Sequence, residues 1–248
     1  MTSSGVTAIE RVGATVHRAQ GPWSPSVHRL LDRLRAAGFT GSPRFLGVDA
    51  ADREILDFID GEVAPYPWRD DSAACDIITS AAKLLRSFHD ATVDFAASGQ
   101  GGWQLPSVEP IEVVCHNDIA PYNCVVRDGV AVAFIDFDTA APGPRAWDLA
   151  YAVYRFAPLS HDFGDALRQR QRARLFLDAY GADPGLREAT VRLVPARLSA
   201  LVEFIEAQAR AGNPAYARHI ADGDADQYRQ DSAYALENGP GWIAGVMP

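Results

Sequence analysis

Apolar and polar residues alternate over residues 6–12 and again over 15–18, with Gly13-Ala14 between them, which predicts two short strands joined by a tight turn. The chain then breaks at Gly21-Pro22-Trp23-Ser24-Pro25. Beyond it Val27, Leu30, Leu31 and Leu34 recur at helical spacing behind a Ser24 or Ser26 cap, and Gly38 ends that helix. Residues 43–48 and 54–59 read as two more strands around a polar turn.

From Ser72 the period changes: Ile77, Ile78, Ala81, Leu84, Leu85 and Phe88 share one helical face, which ends in the loop Ser98-Gly99-Gln100-Gly101-Gly102. Short apolar runs follow at 113–115, 124–126 and 130–135, the last two linked by a turn whose Asp128-Gly129 signals a hairpin. After Asp148 the pattern is helical, with segments at 167–180, 187–211 and 216–221 and a kink or boundary expected at Pro195. A strand-rich front lobe (1–60) and a helical back lobe (61–248) are therefore expected, with a ligand cleft between them.

Charge narrows the partners. With 23 Lys and Arg against 32 Asp and Glu the net charge is −9, which disfavours nucleic acid. No apolar run approaches the roughly 20 residues that span a bilayer, and the first residues lack a signal pattern, so a cytoplasmic protein without membrane partners is expected. Nothing demands a dimer, and a monomer is expected. Cys75, Cys115 and Cys124 are too few for a disulfide framework and lack zinc-site spacing; they read as reduced thiols.

Candidate chemistry concentrates in Cys115-His116-Asn117-Asp118-Ile119-Ala120-Pro121-Tyr122-Asn123, followed after one hairpin by Phe134-Ile135-Asp136-Phe137-Asp138. Phosphoryl transfer needs a group to take the acceptor's proton and hard oxygen ligands for Mg²⁺. Asp118 supplies the first, and Asn123 and Asp136 the second. The His-x-Asp-x-x-x-x-Asn spacing and the strand-turn-strand leading to Asp136 match the kinase catalytic pattern.

Here the chain resembles the aminoglycoside phosphotransferase and choline kinase family, whose catalytic loop commonly reads His-Gly-Asp-x-x-x-x-Asn and whose metal strand reads Ile-Asp-Phe or Ile-Asp-Trp. Trp147-Asp148-Leu149-Ala150, Phe88-His89 and Phe58-Ile59-Asp60-Gly61-Glu62 extend the resemblance over residues 45–155. It implies an α+β, bilobal protein-kinase-like fold, with a small mostly antiparallel N-lobe sheet and a larger helical C-lobe. It also implies a small-molecule kinase using Mg²⁺ and ATP or GTP, with Asp118 as base and His116, beside it in the catalytic loop, holding that loop in shape. Asn123 and Asp136 would be metal ligands, Asp148 would support the loop, and Asp57, Phe58, Ile59 and Asp60 would offer backbone hydrogen bonds to the nucleotide base.

The pattern departs from the family in four places. The one lysine, Lys83, falls on a back-lobe helix, so Arg18 is the candidate phosphate ligand. The helix after it offers His28 and Asp32 where a Glu is usual, and the phosphate-covering loop has only Ser3-Ser4-Gly5-Val6-Thr7. Asp138 stands where protein kinases carry Gly, as a further metal ligand or a turn cap. Two rival readings are a kinase-shaped binding or immunity module and a haloacid-dehalogenase-like phosphatase that uses Asp136 as nucleophile. The acidic balance suggests a cationic acceptor such as an aminoglycoside or amino alcohol, with Asp162, Asp165, Glu203 and Glu206 as candidate lining.

Overall fold

The computed structural model describes residues 9–66, 71–163 and 166–247. Strands β1 (Ile9–Val12), β2 (Thr15–Ala19), β3 (Phe45–Val48) and β4 (Arg53–Asp57) form one antiparallel sheet in the order β1-β2-β4-β3. Helix α1 (Ser24–Ala36) lies between β2 and β3 in the chain and buries Val27, Leu30, Leu31 and Leu34, the stripe its sequence period predicts.

The connector to the second lobe turns at Gly61. Its φ is 142°, and a Cβ there would sit 2.7 Å from the carbonyl oxygen of Val126, so only glycine fits. A small sheet of β5 (Glu62–Val63), β7 (Cys124–Arg127) and β8 (Val130–Phe134) follows, ordered β5-β7-β8. Asp128 and Gly129 both take positive φ between β7 and β8, as a two-residue hairpin requires. Strands β6 (Val113–Cys115) and β9 (Ala141–Gly143) pair separately, and single 3₁₀ turns at Pro121–Asn123 and Phe137–Thr139 carry the two acidic loops.

Helix α2 (Asp71–Ala97) is the spine of the lobe: Ile78, Ala81, Ala82, Leu85 and Phe88 are all fully buried. Helices α3 (Arg145–Phe156), α4 (Ala166–Tyr180), α5 (Pro184–Arg210), α6 (Pro214–Ala221) and α7 (Asp224–Val246) complete it. Pro195 does not divide the second tail helix; α5 runs through it. Sequence pattern gave no separate signal for α7, because Gly239-Pro240-Gly241 interrupts its C-terminal half. Tertiary burial overrides that local penalty, with Trp242 and Val246 sealed in the core. Asp224 and Asp226 lie in the first turn of α7, at the positive end of the helix dipole.

Candidate active site

Strand β6 delivers the acidic loop. Asn117 sits in the left-handed region at φ 65°, which Gly or Asn adopts most readily, so Asn here replaces a Gly without changing the turn. Asp148, in the first turn of α3 and fully buried, holds the loop: it accepts from the His116 and Asn117 backbone N–H groups, both at 2.8 Å, and from His89 Nε2 at 3.0 Å. Burial works against its charge, but these donors hold its carboxyl below the usual range. From α5, the Arg197 guanidinium donates to the Asn117 carbonyl.

His116 is a positioning residue in this arrangement and not a group that touches the reacting atoms. Its Nδ1 accepts from the Asp118 N–H at 3.3 Å and its Nε2 donates to the Ile135 carbonyl at 3.1 Å, so neither nitrogen is left for substrate. The second contact ties the loop to the end of β8. The Ile135 N–H to the Asn123 carbonyl, 3.0 Å, is a second tie between the same segments.

Asp118 accepts from the Tyr122 hydroxyl at 2.7 Å on one oxygen and from Asn123 Nδ2 at 2.8 Å on the other. The amide orientation leaves Asn123 Oδ1 as the atom able to meet a cation. Burial raises the Asp118 carboxyl above the ordinary range; the Tyr122 hydrogen bond opposes this and Asp136 adds to it. Asp136, just past β8, is itself at φ 65°, a conformation that the 3₁₀ turn after it and the ties at Ile135 hold in place.

Arg18 bridges the lobes. Its guanidinium donates to Glu54 through Nε, to Asp136 at 3.1 Å through Nη1, and to Asp138 at 2.5 Å through Nη2. The three carboxylates outweigh burial and raise the Arg18 pKa further. The expected missing acidic partner is thus present, but on β4 instead of α1, and His28 of α1 donates to its other oxygen at 2.6 Å. Burial opposes ionisation of Glu54, yet His28 and Arg18 hold it below its ordinary value. Asp138 is pushed up to about 6 by burial, against the pull of Arg18.

Arg18, Asp118, Asp136, Asp138, Trp23 and Tyr216 line a cavity of about 390 Å³ between the lobes. A larger apolar groove of about 470 Å³ between α5 and α7 carries no acid and lies apart from these groups. Among the described residues no three His, Cys, Asp or Glu side chains form a ready metal cage. The donor set is instead the Asn123 amide and Asp136, with Asp138 held by Arg18, all hard oxygen. Such a set fits Mg²⁺, which takes one or two protein ligands and completes its shell with water and phosphate oxygens.

Other expectations change. The Asp57 N–H donates to the Arg44 carbonyl and the Phe58 N–H to the Ala14 carbonyl, so neither amide is open to a nucleotide base; Ile59 and Asp60 follow at the connector, where the Asp60 carbonyl accepts from Arg127. None of the four lines the cavity. Glu206 is paired with Arg210 and Arg229, and neither it nor Asp162 nor Glu203 lines the cavity. Asp165 and the 3–7 segment lie outside the described residues. Sequence reasoning missed Glu54, whose signal is its register opposite Arg18 across β2 and β4.

Similarity to known proteins agrees with this geometry. Residues 102–189 match the phosphotransferase enzyme family. A trifolitoxin immunity protein of Rhizobium leguminosarum bv. trifolii is 34% identical over 195 residues, 73% of each chain. Among solved structures, a choline/ethanolamine kinase family protein from Mesorhizobium loti superposes at a TM-score of 0.65 with 17% identity, covering 97% of this chain and 89% of that one. A macrolide 2'-phosphotransferase from Brachybacterium faecium does so at 0.54, also with 17% identity, covering 93% and 87%. With its bilobal kinase-like fold, the chain belongs to the phosphotransferase enzyme family that includes aminoglycoside phosphotransferases and choline/ethanolamine kinases.

Proposed function

We propose that this protein transfers the terminal phosphoryl group of ATP or GTP to a hydroxyl of a small molecule. The observation that carries the reading is that Asp118 and Asp136 line one interlobe cavity together with Arg18, which is bonded to Asp136, while Asn123 is bonded to Asp118. Asp118 accepts the acceptor's proton as its oxygen bonds to phosphorus and the bond to the leaving diphosphate breaks. Arg18, a planar fork of donors, exchanges its contacts to Asp136 and Asp138 for phosphate oxygens. Asn123 and Asp136 would hold Mg²⁺, which neutralises phosphate charge when bound.

The test is nucleotide consumption across a panel of hydroxyl compounds, including aminoglycosides, macrolides and amino alcohols, with Mg²⁺ present or chelated. Acceptor-dependent turnover should fall at least about 100-fold in Asp118→Asn. The name of the 34% identical relative favours a second reading, an immunity role. If the protein protects cells from a toxic compound and Asp118→Asn protects equally well, the chain acts by binding alone. If protection and turnover are lost together, immunity is achieved by phosphorylation. The phosphatase alternative has no support, since β8 belongs to an antiparallel sheet and no lysine follows Asp136.

A further inference from the structure

Arg155, on α3, is enclosed by the rings of Tyr66, Tyr122, Tyr151, Tyr154 and Tyr228, with its guanidinium carbon 5.2–5.5 Å from each ring centroid. Its hydrogen bonds go to phenol oxygens: Tyr228 at 2.6 Å, Tyr151 at 3.0 Å, and Tyr66 and Tyr122 at 3.4 Å. Among the described residues no carboxylate pairs with it directly. A cation removed from water needs an anion within reach, because the desolvation of an uncompensated charge is strongly unfavourable.

The directions of the hydroxyl protons identify that anion. The Tyr122 proton is committed to Asp118 at 2.7 Å, so in the 2.8 Å contact between Tyr122 and Tyr151 the donor is Tyr151. Tyr151 in turn accepts from Arg155 Nε. Every donor points the same way, from Arg155 through Tyr151 and Tyr122 to Asp118, a chain in which each bond polarises the next. The other nearby acid, Asp231, takes the hydroxyl of Tyr154 at 2.7 Å, but no hydrogen bond joins Arg155 to that hydroxyl.

We infer that Arg155 is the relayed counter-cation of Asp118 and a positioning residue for phosphoryl transfer, acting through the hydroxyls of Tyr151 and Tyr122. The relay fixes the carboxylate between Tyr122 and Asn123 so that its remaining lone pairs face the acceptor. This inference rests on the proposed reaction for its catalytic consequence, but the relay itself can be tested without turnover.

Two measurements decide it. The first is a cycle of urea midpoints for wild type, Asp118→Asn, Arg155→Met and the double variant. The midpoint shift caused by Asp118→Asn should be more favourable in the Arg155→Met background than in wild type, and that difference should shrink when Tyr122 is Phe. Equal shifts in both backgrounds overturn the relay. If Arg155→Met does not fold, the same cycle is run between Tyr122→Phe and Asp118→Asn, where additivity is again the overturning result.

The second measurement is steady-state kinetics with an identified acceptor. Tyr122→Phe and Arg155→Met should each lower kcat about tenfold while nucleotide KM stays within about twofold, Arg155→Lys should recover part of the loss, and the double variant should be no worse than the poorer single one. A loss confined to KM, or multiplicative losses, overturns the positioning role. A wild type that phosphorylates no acceptor instead defeats the proposed function, while the urea cycle still decides the relay.

Discussion

Arg18 and Glu54 are register partners across β2 and β4, and the ion pair between them is buried, with side chains 7% and 1% exposed. The kinase pattern normally draws this acid from the first helix. Here the helix contributes His28, stacked on Phe45 with ring centroids 3.7 Å apart, as a brace for the strand glutamate. A cross-strand pair fixes Arg18 from within its own sheet, so its position does not depend on how α1 is seated.

Glu54→Ala should therefore destabilise the protein by about 3 kcal/mol, the lower end of the range for breaking a buried pair, because Arg18 keeps Asp136 and Asp138. Urea denaturation measures this. Glu54→Gln, which can still accept from His28 or Arg18, should lose less than half as much; an equal loss would mean that packing, and not the pair, is what Glu54 supplies.

Asn117 tests the loop. Because its backbone is left-handed at φ 65°, Asn117→Gly should stay within about 1 kcal/mol of wild type, the lost Asn117 to Thr139 hydrogen bond being offset by relief of strain. Asn117→Val should cost about 2–3 kcal/mol, since a β-branched residue meets the full left-handed penalty and also loses that bond. Thermal melts of the two variants should differ in that order.

Asp136 and Asp138 differ in their attachments and should differ in effect. Asp136→Asn should abolish Mg²⁺-dependent turnover, whereas Asp138→Asn, whose side chain is held by Arg18, should act mainly on nucleotide KM and shift the Mg²⁺ requirement by on the order of tenfold. Titrating activity against Mg²⁺ at saturating nucleotide separates them.

The legible parts of this protein were those with local spacing. The α1 and α2 stripes, the Asp128-Gly129 hairpin and the His116-to-Asn123 spacing all depend on residues a few positions apart, so periodicity and turn chemistry expose them. Glu54 meets His28 and Arg18 from 26 and 36 residues away, and Arg155, though its first partner Tyr151 is one helical turn off, reaches Tyr122 and Tyr228 from 33 and 73 residues away, contacts that no local pattern marks. At the connector the Phe58 amide is taken for a related reason: the β2–β4 ladder runs one step further, to the Ala14 carbonyl, a partner 44 residues away in the chain.

His89 and Asp148 set the last prediction, an acid limit for the fold. Both are fully buried, with Tyr180 donating to His89 Nδ1 at 2.8 Å and His89 Nε2 donating to Asp148 at 3.0 Å, an arrangement that requires a neutral ring and a charged carboxylate. Burial lowers the His89 pKa from its ordinary 6.5, with Asp148 pulling the other way. As pH falls, the unfolded chain takes up that proton first, so the contribution is fully present above about pH 6.5 and is lost progressively below it. Asp148, also depressed, adds a further loss below about 3.8 as it too is forced to protonate. The unfolding free energy of the wild type, read from urea denaturation, should consequently decline between pH 7 and pH 5, by no more than about 1.4 kcal/mol per pH unit for this one proton. His89→Gln keeps a donor for Asp148 and an acceptor for Tyr180 but cannot titrate, so its midpoint should be lower at pH 7 and flatter across the same interval. A variant that declines as steeply as the wild type would assign the acid sensitivity to other groups.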